Sequence, residues 1–200
     1  MNTRSSKLES VYWFGRHLYR MQFLSQQVPF QQNDKAIKFS RAFCLAAFDA
    51  SSLNDLLYDH LQPFSFYKQF QTIKRDLVDI KDLLSDSTFQ ELSDLTLQAT
   101  ENTQQISVLI DASKRILEQE SHEILFFYRL GKHIEQVDIQ LKLGLSISHS
   151  LKTIAPMMQL LHARGWESLC DAWHNFKKVS DINHFYHFND QMQCAFEANQ

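Results

Sequence analysis

Apolar residues recur along this chain at three- and four-residue spacing, the signature of one helix after another. Leu8, Val11, Tyr12, Gly15, Leu18 and Tyr19 share a face and predict a first helix from Ser6 to Gln26, closed by Pro29. Asp34 reads as the N-cap of a second helix. Ile37, Arg41, Cys44, Leu45 and Phe48 carry that helix toward Leu61, and Pro63 ends it. A third runs from Phe64 to Leu84 with Phe66, Phe70, Ile73 and Leu77 in phase. Ser85, Asp86 and Ser87 form a turn and cap cluster. The pattern then continues from Thr88 to Glu118, with a break or kink expected at Asn102 and Thr103.

The strongest periodicity spans Ser121 to Ser148 through Ile124, Phe127, Leu130, Ile134, Val137 and Leu141. Pro156 reads as a helix start, and Gly165 as the residue just past that helix's end. Trp166 to Lys178 makes another helix, and Asp181 or Asn183 caps a last one. No stretch alternates with period two for long enough to make a strand. The predicted class is all-α, an antiparallel helical bundle with short loops.

Composition supports long elements, because only four Gly and three Pro interrupt 200 residues. Sixteen Phe supply large core side chains. The formal charge of −3 gives no overall attraction to nucleic acid, and no apolar run suits a membrane span. Three cysteines without a CxxC pattern argue against a disulfide framework and predict a reducing, cytoplasmic setting. Arg4, Lys7, Arg16 and Arg20 make the first segment basic, as in a transit peptide. Its Trp13 and heavily aromatic face instead read as a core helix.

One motif occurs twice. Residues 12–20 read Tyr-Trp-Phe-Gly-Arg-His-Leu-Tyr-Arg, and residues 128–136 read Tyr-Arg-Leu-Gly-Lys-His-Ile-Glu-Gln. A shift of 116 residues superposes Tyr12 on Tyr128, Gly15 on Gly131, Arg16 on Lys132 and His17 on His133. Gly inside a helix costs about 1 kcal/mol relative to Ala, so two such placements predict close helix contacts at Gly15 and Gly131. The pattern predicts an internal pseudo-two-fold duplication of a motif helix.

On these residues the chain resembles the bacterial alpha-E family, helical proteins with a Glu-Arg pair in a Gly-Arg-x-Leu-Glu-Arg-Ala-Glu/Asp pattern. Tyr19 stands where the family has Glu, Gln22 where it has an acid, and Gln136 where it has Arg. The second copy keeps Glu135 and Asp138, so each copy retains half of the pair, Arg20 from one and Glu135 from the other. The stretch from Arg75 to Leu92 also resembles the family's helix–turn–helix ahead of an aromatic residue, here Phe89. The resulting organisation is a single helical domain over 1–200, with an alpha-E-like bundle at 5–148 and a C-terminal helical cap at 149–200. The likeness stops before the family's usual end, which makes this a short member. What the resemblance implies is an accessory or binding protein, working beside an ATP-grasp-type peptide ligase or a transglutaminase-like protein.

The candidate site follows from the same residues. Arg16, Arg20, Lys132, Glu135 and Asp138 are expected to form an interhelical ion pair or to hold a small anionic or amine ligand. An Arg fork matches a carboxylate, and a buried charge needs such a partner. An enzyme using Arg16, Arg20, Glu135 and Asp138 is the opposing class. Cys170, His174, His184 and His187 are the nearest approach to a zinc ligand set, but they lack the paired spacings of structural sites. No metal or other cofactor is expected, and no phosphate loop, nucleophile elbow or HExxH occurs.

Overall fold

The computed structural model describes residues 3–101 and 105–198. Among them the backbone forms ten α-helices and no strand. These are α1 (Thr3–Gln27), α2 (Asn33–Ala42), α3 (Ala50–Tyr58), α4 (Phe66–Asp79) and α5 (Asp86–Glu101). They continue as α6 (Ile106–Leu117), α7 (His122–Lys142), α8 (Ser148–His162), α9 (Glu167–Lys178) and α10 (Ile182–Ala198). The all-α bundle is therefore present. The kink expected at Asn102 and Thr103 lies outside the described residues.

The centre of the bundle is α1. It packs on α7 along much of its length and also touches α4, α6 and α10, burying Tyr12, Phe14, Leu18 and Met21 completely. Chain direction follows from the contacts. Phe14 meets Tyr128 and, further along both helices, Arg20 meets Glu135, so α1 and α7 run the same way. His17 bonds Asp76, and Lys7 bonds Asp82 just beyond α4, so α1 and α4 are antiparallel. Phe176 meets Phe185 and Trp173 meets Phe188, which makes α9 and α10 an antiparallel hairpin. The last helix returns to the centre: the Phe196 ring lies 5.5 Å from Tyr12, 5.6 Å from Phe127 and 5.1 Å from Trp166.

Several boundaries differ from those the periodicity predicts. The helix expected from Asp34 to Leu61 is two helices. Asp34 lies in the first turn of α2, whose N-cap is Gln32 with no side-chain bond. At its far end Leu45 N donates to Ser40 O and Cys44 N donates to Arg41 O, the paired bonds of a Schellman stop. Cys44 takes the left-handed turn position at φ 53°. Asp49 then starts α3 by accepting from Ser52 N at 2.8 Å, while the Ser52 hydroxyl accepts from Asp49 N, a capping box. Phe48, placed on the apolar face by spacing, is 78% exposed.

The helix expected to reach Ser148 stops at Lys142, because Gly144 at φ +67° closes the same kind of stop. Pro156 lies inside α8 instead of starting it. Proline lacks the N–H that would meet the carbonyl four residues back. Lys152 and Pro156 are both exposed, so water can serve that carbonyl. Gly165 at φ +89° follows α8, and Asp181, not Asn183, caps α10 by accepting from His184 N.

Candidate functional site

The motif copies meet where α1 crosses α7. A Cβ built on Gly15 would sit 2.2 Å from Tyr128 O, and one on Gly131 would sit 1.9 Å from Tyr12 O. The next contacts mirror each other too, with Lys132 N 3.3 Å from the first and Arg16 N 3.2 Å from the second. Each glycine thus admits the opposite backbone at the tyrosine carbonyl four residues before that helix's basic position. The 116-residue shift is a physical two-fold, and only glycine permits the approach.

Charge at the crossing converges on one carboxylate. Arg16 Nε donates to Glu135 Oε2 at 2.8 Å, and Arg20 Nε donates to Glu135 Oε1 at 2.6 Å. Arg16 reaches onward from Nη1 to Asn189 Oδ1 at 2.7 Å and to the Tyr12 hydroxyl at 3.3 Å. Its guanidinium lies 4.9 Å from the Trp13 ring centre, a cation–π contact. Glu135 is 0% exposed and Arg16 4%. Burial pushes the Glu135 carboxyl up, but the Arg16 and Arg20 charges and their hydrogen bonds outweigh it and hold it at about 2. Burial opposes the Arg16 charge as well. The neighbouring Tyr12 and Glu135 reverse that, and its affinity for the proton is raised.

Two expected members stand apart from this network. Asp138 Oδ2 accepts from Lys142 Nζ at 2.7 Å along its own helix, not from Arg20. Lys132 has no ion pair among the described residues. Burial and then the Lys114 charge lower its proton affinity, so it is no counterpart of Arg16. The two histidines also diverge. His17 Nδ1 lies 2.5 Å from Asp76 Oδ2 and ties α1 to α4. His133 Nδ1 is buried with no hydrogen-bond partner among the described residues, and burial pulls the ring's pKa below its usual value.

The weak zinc set does not assemble. Among the described residues no group of three or more His, Cys, Asp or Glu side chains is placed to hold a metal ion. His174 Nδ1 donates to Cys170 O at 2.7 Å, and the Cys170 thiol donates to Met158 O. Burial, then Asp171 and Glu167, push that thiol up. His184 instead bonds Asp181 and lines a separate hollow with His187.

Solvent reaches the crossing through Arg20, whose side chain is 26% exposed. Beyond it lies an open groove of about 630 Å³ bounded by α1, α4 and the turn before α4. Its polar lining includes His17, Lys68, Gln69, Thr72 and Arg75. Sequence reasoning missed Asn189, Asp76 and Gln69. Each is a polar residue among apolar neighbours on an inward helix face, and that interruption was the available signal. No helix among the described residues is long and apolar enough to cross a membrane. Compared with known proteins, the chain matches no family model, no curated protein and no solved structure.

Proposed function

We propose that this chain is a helical accessory or binding protein whose motif crossing is a structural joint. The observation that carries this reading is the closure of the crossing: both Glu135 oxygens are occupied by arginines, and the carboxylate is wholly buried. An enzyme working there through Arg16, Arg20, Glu135 and Asp138 needs a concave pocket that substrate can enter. Glu135 has none. The resemblance of the two motif segments to the alpha-E family supports a partner that supplies chemistry, an ATP-grasp-type peptide ligase or a transglutaminase-like protein. Three unpaired cysteines, two of them exposed, fit a reducing compartment such as the cytoplasm.

Affinity purification from the native host with mass spectrometry tests this. The expected result is a ligase-like or transglutaminase-like enzyme recovered in constant ratio with the chain. Recovery of the chain alone, as a monomer, overturns the accessory reading.

A further inference from the structure

The groove beside Arg20 holds more donors than the fold uses. Arg20 is fixed by its Nε bond to Glu135, while its two terminal nitrogens have no hydrogen-bond partner among the described residues. This guanidinium is held in place at one nitrogen and left free at its fork. Gln69 is only 9% exposed and lines the groove. Its side-chain amide has no hydrogen-bond partner among the described residues, and its backbone N–H is already spent on Ser65 O. That amide is not sealed from solvent, so water in the groove serves it, and a ligand that offers it a partner can take the water's place. Lys68 and Arg75 are exposed and have no ion pair among the described residues. No carboxylate residue lines the groove.

The donors recognise a carboxylate, and their layout suits a peptide bearing more than one. Lys68 and Arg75 are seven residues apart on one helix, which is about 10 Å along its axis. Acidic residues three apart on a peptide in the extended polyproline II conformation share one face and cover about 9 Å, close to the same distance. Beside the charges stands an apolar lip made by Leu61, Pro63 and Phe64, with Leu61 85% exposed. An isolated phosphate would leave that lip uncovered. The start of α4 is not a phosphate cradle either, because Ser65 Oγ already accepts from Lys68 N. Nucleic acid would want ring platforms, and Tyr67 is occupied in a stack with His60.

We propose that this groove binds an extended acidic peptide segment. One carboxylate meets the free fork of Arg20 and the Gln69 amide, further carboxylates meet Lys68 and Arg75, and an intervening apolar side chain covers Leu61 and Phe64. This rests on the reading of the chain as a binding protein, but not on the identity of its partner enzyme.

The test uses the full chain and a fluorescein-labelled peptide in which three glutamates are separated by pairs of leucines, read by fluorescence anisotropy at low salt. Saturable binding is expected, weakened at least tenfold by Lys68→Glu with Arg75→Glu. Both residues are exposed, so the double variant is expected to melt like the wild type. Gln69→Leu should weaken binding several-fold, and a peptide with glutamines for glutamates should not bind. The proposal is overturned by no saturable binding, or by equal affinity in the charge-reversed variant. It is also overturned if inorganic phosphate displaces the peptide at concentrations near the peptide's own Kd. Because the purified chain is assayed without any partner, failure here is separate from failure of the co-purification experiment.

Discussion

Glu135 decides the charge balance of the core. Removing the buried carboxylate leaves Arg16 and Arg20 without the group that both bond, a change that costs about 3–5 kcal/mol in buried pairs. Glu135→Ala should therefore lower stability by that order in urea unfolding, and an unchanged midpoint would remove the ion network from the account. Its carboxyl sits at about 2 when folded, against an ordinary value of 4.5. A carboxylate depressed in this way stabilises the fold fully above its unfolded value, and that contribution fades as pH falls from about 4.5 toward 2. Unfolding measured across pH 2 to 6 should show stability falling with acid in the wild type. In Glu135→Gln the curve should be lower and flatter, converging with the wild type at the acid end. Parallel curves would mean that Glu135 is not the group responsible.

Between elements, the crossing of α1 and α7 depends on two missing Cβ atoms. Gly15→Ala or Gly131→Ala drives a methyl into the opposite carbonyl oxygen, and such overpacking costs about 1–3 kcal/mol or more. Because both glycines serve one contact, the helices separate once. The double variant should be less destabilised than the sum of the singles, since neighbouring sites sharing one contact fail to add. Strict additivity in thermal unfolding would show two independent contacts. The elements themselves were readable from period 3.6, and the repeat led directly to Gly15, Gly131, Arg20 and Glu135. Boundaries at Cys44, Asp49 and Gly144 were not, because an apolar pattern can run on past a left-handed backbone stop. The partners of the site were harder still. Asp76 is 59 residues from His17 and Asn189 is 173 from Arg16, and no local spacing encodes contacts at such separations.

At the scale of the whole molecule, α10 closes the structure. Asn189 accepts from Arg16, and Phe196 packs on Tyr12, Phe127 and Trp166. Residues from α8 through α10, to Ala198, thus share the core of the motif helices. Phe196→Ala should cost about 3–5 kcal/mol. Deleting residues 182–200 should abolish the cooperative melting transition followed by circular dichroism. A shortened chain that melts as sharply and as hot as the full one would show that the motif helices stand alone.

The two-fold at the crossing is complete in backbone and incomplete in charge. It carries Arg20 onto Gln136 and Glu135 onto Tyr19, so the mate of the ion pair is a neutral Tyr–Gln pair. With no charged fork on the mate side, a ligand that needs one finds a single berth on a scaffold shaped for two. Titration with such a ligand should saturate at one per chain, and the complex it forms has a head and a tail.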